Sequence, residues 1–401
     1  MKSCPTKLRV LAVVTTACLL STAPVHTSAQ LSLYGAADVG ISYVRTSQNG
    51  ATENRLGMDS SVLDDSMIGF KGRDRLNHDW TATFNLATEI NLYNGNISYT
   101  EFFGIESTLG LTRRHWGSFK FGRQQTASTN FFTAIDPMGL SFGQANMGTS
   151  FTAINTQIYN NLAQITSDNW KGFQFSVGYS FDTGETALYE GSGTNNPIPS
   201  TNGFNTTDKM RALTSAIQYE NGPLLVVASY DRAYPSKSIG SPSISGQPQP
   251  NPTTANPQAW YVGLAYTLHK VVLSAAWGRG INGAFSGSGP GNDIDGSRLA
   301  SLAGDADMLF SPGFNQNAYL LGFSWAIDDR TQLMASWQML QPTGQLASMP
   351  GVSTQQILGA ALTYNLSPRT TAYVWASYGQ NFEMASGAQA SVIGTGIQTL
   401  F

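Results

Sequence analysis

The stretch WTATFNLATEIN, Trp80 to Asn91, decides the fold. Trp80, Ala82, Phe84, Leu86, Thr88 and Ile90 fall on one face, and Thr81, Thr83, Asn85, Ala87, Glu89 and Asn91 on the other. Side chains along a β-strand point alternately to opposite sides, so this strand has one oily side and one wet side. A soluble sandwich buries the oily side in a core. A transmembrane barrel turns it to lipid and keeps polar groups inside.

The alternation repeats on both sides of this stretch. Upstream, Leu31 to Tyr43 and Ser66 to Gly72 read as strands, with the polar run Arg45 to Ser60 between them as a loop. Arg73 to Asp79 reads as a charged turn. Downstream come Phe102 to Leu111, Ser118 to Arg123 and Thr156 to Thr166, then the apolar parity Phe173, Phe175, Val177, Tyr179 and Phe181. Asp208 to Tyr219 and Leu224 to Tyr234 flank the turn Glu220-Asn221-Gly222-Pro223, where Pro is a turn residue. Strands around Trp260, Val271, Tyr319 and Leu333, two more ending at Tyr364 and Tyr378, and a last one ending at Phe401 complete the series. The total is about sixteen, an even number as a single-chain bacterial barrel requires. The joints read short, then long, without exception, as two unlike sides of a membrane would make them. A large secreted lectin or β-helix would also alternate. Against it stand aromatics near strand ends (Trp80, Tyr179, Trp260, Tyr378), the scarcity of charge on the oily parity, and the open edges such a sheet would leave.

Composition agrees. Charged residues are only 12% of the 401, against the usual quarter, and no run of 18 apolar residues offers a membrane helix. Lys2, Lys7 and Arg9, the apolar run Val10 to Leu20, and the small residues Thr27, Ser28 and Ala29 read as a secretory signal over 1–29. Cys18 leaves a lipoprotein reading open, although Thr15, Thr16 and Ala17 lack the usual leucine. Without that segment the 22 basic residues become 19 against 25 acidic ones, about −6. Both cysteines, Cys4 and Cys18, go with it, which leaves 30–401 as one barrel domain without thiol, disulfide or cysteine metal site. No basic stripe suggests nucleic acid.

Several short motifs resemble the trimeric general porins of Gram-negative outer membranes, nearest to the β-proteobacterial group. They are Leu33-Tyr34-Gly35 with Asp38, Ile68-Gly69-Phe70-Lys71-Gly72, Gly117-Ser118-Phe119-Lys120-Phe121-Gly122-Arg123-Gln124, Asn169-Trp170-Lys171-Gly172-Phe173, and the final Phe401. The resemblance implies an all-β, 16-stranded antiparallel transmembrane barrel with a long third loop folded into the pore. It implies a homotrimer in outer-membrane lipid and lipopolysaccharide, and a terminal Phe401 read by the barrel-assembly machinery. It implies passive diffusion of small hydrophilic solutes and ions, with loop acids facing an arginine cluster across the pore.

That cluster is depleted here. The third loop, Gln124 to Ile154, carries one charge, Asp136. Met67, Ile158 or a neighbour of it, and Glu101 occupy positions where the resemblance leads one to expect arginine. The basic candidates are Lys71, Arg73, Lys120 and Arg123; the acidic ones are Asp38, Glu89, Glu101 and Asp136. Lys71 and Arg73 either line the pore or are solvated at the periplasmic mouth. Arg123 either lines it or pins the root of the loop, and Asp136 either faces solute or caps a turn. Phe131, Phe132, Phe142 and Phe151 either narrow the pore or anchor the loop to the wall. A near-neutral loop points to a constriction set by bulk and polar side chains rather than a strong field.

Enzyme chemistry has little support. His78, His115 and His269 fall in three separate turns, and no Gly-x-Ser-x-Gly elbow occurs. No clustered His supports a metal site, and the acids of Asp293 to Asp307 read either as a solvated loop or as ligands of a divalent cation. No cofactor is expected. Two readings remain beside the diffusion channel: a substrate-specific channel, and an adhesin or structural barrel.

Overall fold

The computed structural model describes residues 30–99, 101–154, 158–183, 210–234, 256–285 and 313–401. The signal segment 1–29 and the acids Asp293 to Asp307 lie outside these. Seventeen strand segments form one antiparallel sheet that closes on itself. They are β1 (Gln30–Gln48), β2 (Ala51–Ser60), β3 (Met67–Arg75), β4 (Trp80–Glu89), β5 (Glu106–Arg113), β6 (Gly117–Gln125), β7 (Ile158–Ser167), β8 (Phe173–Ser180) and β9 (Arg211–Asn221). The rest are β10 (Leu224–Tyr234), β11 (Gln258–Leu268), β12 (Val271–Ile281), β13 (Phe314–Ala326), β14 (Thr331–Gly344), β15 (Gln355–Ser367), β16 (Thr370–Gln380) and β17 (Gln389–Leu400). One helical turn and more, α1 (Ala127–Phe132), opens the third loop.

Seventeen segments make sixteen staves. β2 pairs with the outer half of β1, from Val39↔Ser60 to Gln48↔Ala51, and β3 with its inner half, from Gln30↔Arg73 to Ala36↔Met67. The two are halves of a single stave, broken at 61–66. Closure comes from β1 against β17, from Ala36↔Leu400 to Ser47↔Gln389. Phe401 finishes that ladder: its N–H donates to Gly35 O at 3.0 Å and its carbonyl accepts from Gly35 N at 3.1 Å.

The expected loop at Arg45 to Ser60 is instead a hairpin. β1 runs on to Gln48 and β2 returns from Ala51, so the first outer connection is the pair Asn49-Gly50, both at positive φ. Asn-Gly is the strongest two-residue hairpin signal, and its twist matches the flanking strands. Leu56 and Met58 continue the outward oily row through a stretch whose charges, Glu53, Arg55 and Asp59, take the inward parity. The strict alternation of short and long joints therefore fails at its first member.

Elsewhere the outward rows are the oily parity of the sequence. Leu109 is 67% exposed, Ile393 60% and Leu358 56%, and rows such as Trp260, Val262, Leu264, Tyr266 and Leu268 are continuous. A water-soluble chain does not leave so wide an apolar surface open. Hydrocarbon is the medium that suits it.

Two substitutions test the parity. Leu264→Arg puts a charge on the lipid face of β11 and should cost about 2–4 kcal/mol in refolding into bilayers. Gln218→Arg, on the inward parity of β9, should cost little; equal penalties would contradict the assignment.

Candidate pore constriction

The connection from β6 to β7 folds into the barrel. Phe132, Ile135, Met147, Phe151 and Ile154 are buried against Tyr261, Ala265 and Leu320 of the inner wall. Phe142 and Met138 are buried against Ile357, Tyr373 and Trp375. Four phenylalanines, Phe131, Phe132, Phe142 and Phe151, thus lie on the wall and hold the loop to it.

The path of the loop follows from local chemistry. Thr126 caps α1, its hydroxyl accepting from Thr129 N at 3.2 Å. Ser128 Oγ donates to Asp231 Oδ2 on β10, and Ser128 N to Thr214 Oγ1 on β9 at 3.4 Å. Inward glycines bed the chain. A Cβ on Gly263 would stand 2.8 Å from Ile135, and one on Gly359 would stand 2.6 Å from Ala145. Gln338 on the far wall and Gln144 on the loop then fix the turn. Gln338 Nε2 donates to the carbonyls of Ala145 and Asn146 at 2.7 and 2.8 Å. Gln144 Nε2 donates to Ser377 Oγ at 2.7 Å.

The break in the second stave has a use here. Residues 61–66 turn inward as a strap, and Phe142 N donates to Val62 O at 2.7 Å while Ser141 Oγ donates to Leu63 O at 2.6 Å. Asp38 holds the strap. Its carboxylate accepts from Leu63 N, from Asp64 N at 3.0 Å and from Tyr373 Oη at 2.6 Å. Asp38 is fully buried, so it serves the loop's anchor rather than the open bore.

Asp136 is buried as well. It accepts from Met138 N (3.2 Å), Leu140 N (2.9 Å) and Met147 N (3.1 Å), which folds the loop around its own carboxylate. Burial pushes this carboxyl up to about 6, although the three N–H groups pull the other way. The loop's sole charge does not face the water.

The bonds that fix the loop run to β9–β17 and the strap. The lumenal faces of β3 to β6 stay open opposite it. Lys71 is exposed there, its ammonium 4.6 Å from the centre of the Tyr34 ring. Tyr34 Oη donates to Asn85 Oδ1 at 2.7 Å, and Asn85 Nδ2 donates to Glu106 Oε2 at 2.6 Å. Lys120 Nζ lies 3.2 Å from Glu106 Oε1. One wall therefore gathers Lys71, Lys120 and Glu106, the last of which sequence reading passed over.

The other candidates lie apart from this wall patch. Arg123 donates from Nε to Gly104 O at 2.6 Å and from Nη1 to Asn160 Oδ1 at 2.7 Å, so it ties the root of the loop to its neighbours. Arg73 bonds Gln30 Oε1 at 2.7 Å near the short-turn mouth. Glu89 meets the hydroxyls of Ser61 and Ser98 beside the strap. Glu101 lies exposed in the connection from β4 to β5. Arg55, read as a loop residue, is on the inward parity of β2 and bridges Asp59 at 2.7 Å.

A family model described as Gram-negative porin matches residues 14–382. The chain belongs to the Gram-negative porin family. It is 32% identical over 385 residues to an outer membrane porin protein of Bordetella pertussis, covering 92% of this porin and 94% of that one. Among solved structures it resembles the anion-selective porin from Comamonas acidovorans, with a TM-score of 0.67 at 18% identity, covering 93% of this chain and all of that one. It also resembles an outer membrane protein of Vibrio cholerae in a trimer form, TM-score 0.55 at 13% identity, covering 93% and 99%. The porin is an outer-membrane channel for passive diffusion of small hydrophilic solutes and ions.

Gly359→Val tests the bedding of the loop. The added bulk meets Ala145 and should lift the loop into the bore, lowering single-channel conductance. Conductance equal to the parent's would contradict the packing described.

Proposed function

We propose that the porin discriminates little by charge. Its narrowest section lies between the third loop and the wall of Lys71, Lys120 and Glu106, and bulk and polar groups set the cutoff there. One observation carries this reading: Asp136, the only charge on the loop, is turned into the loop itself. A transverse field needs opposed charges across the bore, and here one side is neutral. On the other side Glu106 offsets one of the two lysines. The Comamonas acidovorans relative is named as anion-selective, yet at 18% identity that property does not pass to this chain by fold alone.

We infer as well that three copies assemble in the membrane, in line with the trimer form of the Vibrio cholerae relative. Residues 1–29 serve as a cleaved export signal, and Phe401 is the terminal aromatic presented for barrel assembly. Arg73, Arg123, Glu89, Glu101 and Asp38 shape the mouth, the loop root and the strap.

Reversal potentials across a tenfold salt gradient test the charge reading. The reversal potential should lie close to zero, far from the limit of about 59 mV for a perfectly selective univalent pore. Lys71→Gln with Lys120→Gln should move it a few millivolts toward cation preference. A parent value near the anion limit would overturn the proposal.

A further inference from the structure

The tip of the third loop is strained. Gly139, Leu140, Phe142 and Gly143 all have positive φ, between 53° and 64°. Left-handed backbone is cheap for glycine and costly for a large residue such as Leu140 or Phe142. It persists only where the surroundings over-determine it. Residues 139–143 therefore need a clamp, and the structure supplies one.

Phe142 is held twice. Its N–H donates to Val62 O of the strap at 2.7 Å. Its buried ring meets the Tyr373 ring edge-on at 5.8 Å and lies 6.2 Å from that of Trp375. Both holds lead to one carboxylate. Asp38 Oδ2 accepts from Leu63 N and Asp64 N, the two strap residues after Val62, and Oδ1 accepts from Tyr373 Oη at 2.6 Å. The main chain of Asp38 fixes the ends of the strap as well. Its carbonyl accepts from Ser61 N at 3.2 Å and from Ser66 Oγ at 2.7 Å. The reach from Tyr373 to Asp38 crosses a whole stave. Tyr373 on β16 is opposite Gly396 on β17, which is opposite Gly40 on β1. A Cβ on Gly396 would collide with Tyr373 Oη, so glycine there leaves the phenol its path.

We propose that Asp38 is a positioning residue for permeation. Through the strap on one oxygen and Tyr373 on the other, it keeps the strained tip against the wall and the bore at constant width. Asp38 itself is buried and touches no solute. Without its carboxylate, the N–H groups of Leu63 and Asp64 lose their acceptor and turn to water. The strap then lets go of Phe142, and residues 139–143 relax toward ordinary φ. The wall stands behind them, so the relaxed tip moves into the bore. The inference rests on the third loop bounding the narrowest section, and is independent of how the pore treats charge.

Single-channel recordings in planar bilayers, with swelling rates of proteoliposomes in sugars of increasing size, test this. The parent should hold a steady open level. D38A should show brief partial closures, severalfold higher open-channel noise and a disproportionate loss of the larger sugars. D38N keeps one oxygen for the strap and should recover most of the steadiness. Y373F cuts only the bond between Asp38 and the ring, should give a milder form of the same disturbance, and decides the matter if D38A does not fold. A folded D38A with the parent's noise and size cutoff overturns the proposal, even if its barrel melts earlier, because Asp38 would then serve stability alone. D38N as noisy as D38A overturns it too, as does a Y373F as steady as the parent where D38A does not fold. Gly359→Val separates this failure from that of the constriction itself. If it lowers conductance while D38A does not, the clamp alone is wrong; if neither acts, the loop does not bound the narrowest section and both readings fall.

Discussion

Everything in this molecule depends on one constraint: inside hydrocarbon, no backbone N–H or C=O can be left without a partner. A sheet meets it only by closing. β1 does the closing, pairing with β17 on one side and with both β2 and β3 on the other. The terminal Phe401 extends the ladder to Gly35. Once the cylinder is closed, the two-residue period of the strand sorts every side chain to lipid or to lumen. The low charge and the alternating sequence are consequences of that sorting.

The bore is then set by a loop held by short hydrogen bonds and buried apolar side chains rather than by ion pairs across the pore. Glutamine, serine and backbone groups hold it to the wall, and each such bond is worth only about 0.5–1.5 kcal/mol net. Their number, the buried phenylalanines and the glycine bed make the position definite. Three buried acids hold the loop: Asp38 and Asp136 accept from backbone N–H groups, and Asp231 accepts from Ser128 Oγ. In this porin acidic residues build the loop's frame, and the proposed function has the solute pass Lys71, Lys120, Glu106 and uncharged groups.

The fold was legible because oily and wet residues alternate over most staves, as in Trp80 to Asn91 and Phe173 to Phe181. The hairpin at Asn49-Gly50 was missed because Glu53, Arg55 and Asp59 look like loop residues when the parity is ignored. Their inward parity, with Leu56 and Met58 between them, was the signal. The strap 61–66 could not be read, since its role lies in contacts with Asp38 and Phe142 that are distant in sequence. Glu106 escaped for a similar reason: only the register Asn85, Thr108, Lys120 brings its partners together. The inward glycines, Gly263 and Gly359, did carry a trace of the loop, because a glycine on a strand's inner parity marks close approach of another chain. Arg123 and Asp136 show the limit of motif reading, which finds charged residues near the pore but not which way they turn.

The central claim is that adjacent residues on one stave face different media, with water inside. Lys120 and Phe119 are neighbours on β6, one turned to Glu106 in the lumen and the other 44% exposed on the outer surface. The segment 30–401 contains no native cysteine, so Lys120→Cys and Phe119→Cys can be compared cleanly. A charged, membrane-impermeant methanethiosulfonate reagent applied to channels in a planar bilayer should lower conductance in steps for Lys120→Cys and leave Phe119→Cys unchanged. Modification of Phe119→Cys with no effect at Lys120→Cys would contradict the account.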